Sequence, residues 1–287
     1  MAVSVESIRL LRERTQAPML DCKKALDACE GDVEKSIDFL KKQGRIKAEK
    51  KADRSAYQGL AILSGDAEHM ALLEVNCETD FVSGGDDFKG YCQAAADAIL
   101  TSGAEDTAIL LAYTTDQGLS IDEMRKNLIA KVGENIQVRR FTDVNAKGHL
   151  YGYSHGGRIA ALVDISVADQ ALGKDLAMHV AANAPVAMTS ADVPEEIIKR
   201  EEAIIMERAQ KTGNPEAMMK GAMKKFLSEM SLLDQSFVKD PSLSITQLLK
   251  QSNAEIHAFY RYEVGEGMEK ETVNFVEEVM AQVKGDS

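Results

Sequence analysis

Apolar residues recur at helical spacing three times before residue 45: Ile8 and Leu11, then Cys22, Ala25, Leu26 and Cys29, then Val33, Ile37 and Leu40. Pro18 and Gly31-Asp32 interrupt the pattern, Asp21 stands where an N-cap belongs, and Gly44 stands where a helix ends. The spacing therefore predicts a compact three-helix unit over residues 1–45. Lys41, Lys42, Arg45, Lys47, Lys50, Lys51 and Arg54 follow among few apolar residues, and residues 46–56 read as a basic, solvated linker.

Beyond the linker the period shortens. Tyr57 to Leu63 and Met70 to Asn76 are strand-like runs around the turn Ser64-Gly65-Asp66-Ala67, helices are expected near Phe88 to Leu100 and Ile121 to Lys131, and Ile136 to Phe141 alternates as a closing strand. The same order returns after residue 148. Leu150 to Tyr153, a turn at Gly156-Gly157, the apolar run Ile159 to Ile165, a helix near Ala171 to Ala182 and a last strand at Ala258 to Glu263 repeat the design. Met70 to Val75 resembles Ile159 to Asp164, and both closing strands end on Arg followed by an aromatic residue, Arg140-Phe141 and Arg261-Tyr262. The pattern predicts an α+β protein whose core holds two similar subdomains, 57–142 and 143–264, with antiparallel sheets.

The second copy is interrupted. Met219, Met223, Phe226, Met230 and Leu233 step by four and three residues, while Ile197 and Ile204, and Ile198 and Ile205, repeat at heptad spacing. An antiparallel coiled-coil hairpin over 194–233 follows, with its tip at Gly213-Asn214-Pro215, and arms of this length would reach about 25 Å. Val273, Val276, Met280 and Val283 then predict an amphipathic helix within residues 265–287, reached through a flexible approach at Gly265 and Gly267.

Composition narrows the partner classes. A chain of 287 residues with 45% hydrophobic content can bury a sizeable core, but it has 13 Met, no Trp and only 5% aromatic residues, so its contact faces rely on adaptable thioether and aliphatic side chains. The net charge of −12 argues against a nucleic-acid or anionic-membrane partner. No apolar run is long enough to span a bilayer and Met1 to Ile8 lacks a secretory pattern, so a cytosolic protein is expected. Cys22, Cys29, Cys77 and Cys92 form no C-x-x-C pair and read as free, mostly buried thiols.

Reactive motifs are missing. Neither a phosphate-binding P-loop, nor G-x-G-x-x-G after a strand, nor H-E-x-x-H occurs, and His69, His149, His155, His179 and His257 have no ligand spacing. No covalent catalysis, metal or cofactor is expected. Thr79-Asp80-Phe81, read locally, has Asp80 capping a helix and Phe81 filling the core, although the polar loop Ser83 to Asp87 that follows also allows an exposed apolar tip.

Two stretches resemble signatures of the elongation factor Ts family: Leu20-Asp21-Cys22-Lys23-Lys24-Ala25-Leu26 and Val75-Asn76-Cys77-Glu78-Thr79-Asp80-Phe81-Val82. Gly133-Glu134-Asn135-Ile136, His155-Gly156, Met178 to Ala182 and Val264-Gly265-Glu266-Gly267 keep the family's order along the chain. The resemblance implies a ubiquitin-associated-like N-terminal domain, a two-subdomain core, an inserted coiled coil and a C-terminal helical module. It also implies guanine nucleotide exchange on elongation factor Tu. Thr79, Asp80, Phe81 and Val82 would displace Mg²⁺ from that GTPase, and Met19, Leu20 and His155 would bind it. Family members commonly continue the motif with Ala and a basic residue, whereas Ser83-Gly84 stands here. Three other readings stay open: an adaptor that binds proteins through the three-helix unit, RNA binding through Lys41 to Arg54, and a homodimer through the coiled coil.

Overall fold

The computed structural model describes residues 3–15, 17–209 and 215–268. The chain opens with α1 (Val5–Thr15), α2 (Met19–Ala28) and α3 (Val33–Glu49), which enclose Leu11, Cys22, Ala25 and Leu26 with Ile8, Val33, Ile37 and Leu40 around them. Helical spacing put these side chains on inward faces. Asp32 caps α3 by accepting from the Lys35 amide at 3.1 Å. Asp21 does not cap α2; the helix begins earlier, behind Pro18, and Asp21 lies inside its first turn, where an anion still favours the helix dipole.

Gly44 does not end α3 either. A mid-helix glycine costs about 1 kcal/mol relative to alanine. Contacts with the body on either side of Gly44 offset that cost, for Ala48 is buried in the first core and Lys41 pairs with Glu123 at 3.3 Å. The basic stretch is thus partly tethered. Lys51 donates to the Gly133 carbonyl and Arg54 lies 3.5 Å from Glu78.

Two antiparallel three-stranded sheets form the body. In the first, β1 (Gln58–Gly65) and β2 (His69–Cys77) make a hairpin, and β3 (Ile136–Asn145) returns beside β2. Between them come α4 (Asp80–Gly84), α5 (Asp86–Ser102), α6 (Thr107–Ala112) and α7 (Ile121–Val132). The second sheet repeats the order with β4 (His149–His155) and β5 (Ile159–Ile165) as the hairpin. After α8 (Gln170–Asn183) the chain runs through α9 (Glu195–Ala209), α10 (Pro215–Met230), β6 (Ser236–Phe237), β7 (Asp240–Ser244) and α11 (Ile245–Gln251), and β8 (Ile256–Glu263) closes the sheet beside β5. The short pieces α6, β6, β7 and α11 have no counterpart in the sequence pattern, because two to seven residues do not establish a period.

The pleat sends alternate residues of each central strand to opposite sides. In β2, Leu73 and Val75 face α5 and α7 with Phe88, Ile99 and Ile129, whereas Leu72 meets Ala61, Ala160 and Val264 between the sheets. On the far side α8 covers β5 through Leu176 and Val180 against Ala161 and Val163. The layers run helix, sheet, sheet, helix. Each central strand carries a buried acid immediately before a register shift, Glu74 in β2 and Asp164 in β5. Aligning the copies by this bulge moves the match one residue from the pairing of 70–75 with 159–164.

The arms α9 and α10 pack together, with Ile205 buried and Ile198, Met219, Met223, Phe226 and Met230 half-buried. Ile204 is exposed, so the inner seam of the first arm runs through Ile198 and Ile205 rather than Ile197 and Ile204. Gly213 and Asn214 of the predicted tip, and the predicted helix from Glu271 to Lys284, lie outside the described residues. The approach through Gly265 is anchored: its amide donates to Glu74 at 2.8 Å, and its positive φ of 79° holds a position where a Cβ would come 3.0 Å from the Tyr57 carbonyl. Among the described residues no helix is long and apolar enough to cross a membrane.

Candidate functional site

The central strand β2 is buried to its last residue, Cys77, and then leaves the sheet at one corner. There Thr79 takes an extended conformation and caps α4, its hydroxyl oxygen accepting from the Val82 amide at 3.4 Å. In the single turn that follows, Val82 packs on the first core and Ser83 is buried, with its hydroxyl donating to the Asp80 carbonyl at 3.1 Å. The helical period therefore turns Asp80 and Phe81 outward. Phe81 is 89% exposed. Leaving such a ring in water forgoes about 1.5–3 kcal/mol of burial. The Asp80 carboxylate is exposed as well, and Thr79, not Asp80, is the cap. Gly84 faces open space, so the departure at Ser83-Gly84 leaves one inward hydroxyl and one bare position.

The base of the tip is held from the α7–β3 corner. Glu134 accepts from the Thr79 amide at 3.0 Å and from its hydroxyl at 2.7 Å. One residue on each side, the Asn135 amide donates to Glu78 at 2.6 Å, and the Asn135 side chain donates to the Ala52 and Arg54 carbonyls. The Cys77 thiol donates to the Thr79 carbonyl at 3.2 Å; burial, with the Glu134 charge nearby, pushes its pKa up to about 12, so it stays protonated.

His155 lies near this corner. It ends β4 exposed, its Nδ1 3.2 Å from the Tyr153 hydroxyl, and Gly156 and Gly157 turn the chain with φ of 58° and 70°. The Gly157 carbonyl accepts from Ala61 at 2.8 Å, and Arg158 donates to Gln58 at 2.5 Å. Gln58 is also the strand partner of Cys77, so the start of β1 carries the Phe81 tip on one flank and the His155 turn on the other. Met19 and Leu20 stand apart. They open α2 on the three-helix unit, both exposed, and no hydrogen bond or apolar cluster among the described residues joins them to the tip.

Elsewhere the chemistry is structural. His179 is buried with its Nδ1 accepting from the Val238 amide at 3.2 Å, which leaves Nε2–H to donate to Gln235 at 2.9 Å. Among the described residues no group of three or more His, Cys, Asp or Glu is placed to hold a metal ion. Local pattern missed Glu134, Glu78 and Asn135 as supports of the tip, since their partners lie more than fifty residues away. Their traces in the sequence were the matching stretches Gly133 to Ile136 and, for Glu78, Val75 to Val82.

This corner exposes an aromatic ring and a carboxylate side by side. The sequence profile described as "Elongation factor TS" matches residues 78–266, from the base of the tip to the turn on Glu74. The chain is 44% identical to Elongation factor Ts of Thioalkalivibrio sulfidiphilus over 293 aligned positions, covering 99% of this chain and 100% of the relative. The chain belongs to the elongation factor Ts family. Elongation factor Ts of Halorhodospira halophila is 44% identical with 99% of each chain covered, and that of Legionella pneumophila is 43% identical with 98% and 99% covered. Alignment over nearly the full length brings the three-helix unit and the hairpin arms, as well as the two sheets, into the elongation factor Ts comparison.

Proposed function

We propose that this protein is a guanine nucleotide exchange factor for elongation factor Tu in translation elongation, acting in the cytosol without covalent chemistry. It binds the GDP-bound GTPase and promotes GDP release, so that GTP can enter. The observation that carries the reading is the 89% exposure of Phe81 on a capped, core-anchored turn. Phe81 wedges between helices of the GTPase, Asp80 disturbs the ligand and water network of its Mg²⁺, and Thr79 and Val82 hold the turn that presents them. The phosphates then lose their bridging cation. His155 contributes from the flank, while Met19 and Leu20 dock the three-helix unit, which has the ubiquitin-associated-like role. The two sheets act as paired subdomains, and the α9–α10 hairpin is the inserted coiled coil, which leaves room for self-association.

A buried aromatic anchor contributes about 2–4 kcal/mol, roughly 30- to 700-fold, so Phe81 needs these additional contacts to reach a larger acceleration. Coupling is reciprocal: nucleotide weakens the grip of the factor on the GTPase by the factor that the exchanger weakens nucleotide. An adaptor acting only through the three-helix unit leaves the exposed Phe81 without a use. Release of fluorescent GDP from purified elongation factor Tu tests the reading. Acceleration that saturates with this protein is expected, and a release rate independent of its concentration would contradict it.

A further inference from the structure

A helix of five residues has no stability of its own in water, because its nucleation cost is not recovered over one turn. Yet α4 holds an exposed phenyl ring in one direction. The internal supports are those of a single turn: a 3.4 Å cap from Thr79, the 3.1 Å side-chain bond from Ser83, the Ser83 and Gly85 amides donating to the Thr79 and Val82 carbonyls at 3.3 and 3.0 Å, and the packing of Val82. The strongest external support is the Glu134 carboxylate, whose two oxygens take the Thr79 amide and hydroxyl separately. Bonds to a charged acceptor are about twice as strong as neutral ones. With its proton committed to Glu134, the Thr79 hydroxyl has only its lone pairs to offer, and these face the Val82 amide.

We infer that Glu134 is a positioning residue for exchange: it locks the Thr79 cap so that Phe81 is presented in one orientation before any partner arrives. The inference rests on the reading of Phe81 as the exchange tip. Glu134 is half-buried behind the cap and touches no reacting group, so its effect on exchange must pass through Thr79. Pre-ordering matters because immobilising a side chain on binding costs about 0.5–1.5 kcal/mol, and a pre-set ring avoids that cost.

The chain contains no Trp, so Phe81→Trp places a single indole at the tip. Its fluorescence anisotropy reads the order of the tip with no partner present. Adding Glu134→Ala is expected to lower the anisotropy, and adding Glu134→Gln, which can accept only one of the two bonds, should lower it less. Unchanged anisotropy in both overturns the clamp. In the second measurement, GDP release from elongation factor Tu is compared for Glu134→Ala, Phe81→Ala and the double variant. Glu134→Ala alone is expected to slow release roughly tenfold, and the same change made in Phe81→Ala should slow it no further. Equal slowing in both backgrounds overturns a positioning role. If Glu134→Ala does not fold, Thr79→Val, which keeps the branched shape and removes both hydroxyl bonds, carries the same expectations. Should Phe81→Ala release GDP at the wild-type rate, the exchange reading fails and takes the functional half of this inference with it, while the anisotropy result separately decides the clamp.

Discussion

Asp80 and Phe81 leave one turn of α4 into solvent while Val82 and Ser83 turn inward. Because the Asp80 carboxylate is exposed and holds no part of the fold, Asp80→Asn is expected to leave the melting temperature unchanged and to slow GDP release. Equal release by variant and parent in stopped flow would remove that carboxylate from the mechanism. His179 makes the opposite kind of prediction. Burial lowers its pKa from 6.5, since the neutral ring serves Val238 as acceptor and Gln235 as donor. Below about pH 6.5 the unfolded chain takes up a proton that the folded chain resists, so stability should fall as pH drops from 7 toward 5. Urea unfolding across that range is expected to show the decline, and His179→Gln should flatten it; identical slopes would exclude His179 as the source. Local pattern gave His179 no ligand spacing, but it could not orient Phe81, because one helical turn fits either an inward or an outward ring. The family resemblance supplied that direction.

Element by element, long periods were legible and short ones were not. The heptad positions from Met219 to Met230 lie half-buried along α10 as the spacing required, whereas α6, α11 and the β6–β7 hairpin are too short to leave a pattern. Gly44 misled for a physical reason: tertiary packing of Ala48 carried α3 through a residue that isolated helices avoid. The hairpin arms enter and leave the body side by side, since the Ala187 carbonyl accepts from Leu232 at 2.9 Å and Val186 donates to Met230 at 2.9 Å. Replacing residues 195–229 with a short turn should therefore leave the two sheets folded, with near-wild-type circular dichroism in the strand region and a sharp thermal transition. Loss of that cooperative transition would mean that the arms are part of the core.

At the scale of the molecule, the two sheets are joined by apolar packing and by one buried charge. Glu74 lies fully enclosed and accepts from Arg139, Arg140 and the Gly265 amide, which together outweigh the upward push of burial and keep its carboxyl below the usual range. Arg140 also donates to the Glu263 carbonyl at 3.3 Å, so the network ties β2 and β3 to the end of β8. Glu74→Ala removes the acceptor that Arg139, Arg140 and the Gly265 amide share, while both arginines keep contacts with Glu266, and is expected to cost about 1–3 kcal/mol in urea unfolding. A loss below 1 kcal/mol would show that the sheets do not depend on it. The sequence repeat foretold two similar sheets but not how they face each other, because contacts such as Gly157 under Leu60 and Ala61 join residues almost a hundred positions apart. The whole arrangement sets the exposed Phe81 ring on a hydrogen-bonded corner, and its use is best tested there. GDP release from elongation factor Tu, measured at saturating concentrations of wild-type and Phe81→Ala proteins of equal thermal stability, should be slowed at least tenfold by the substitution; equal rates would contradict the account.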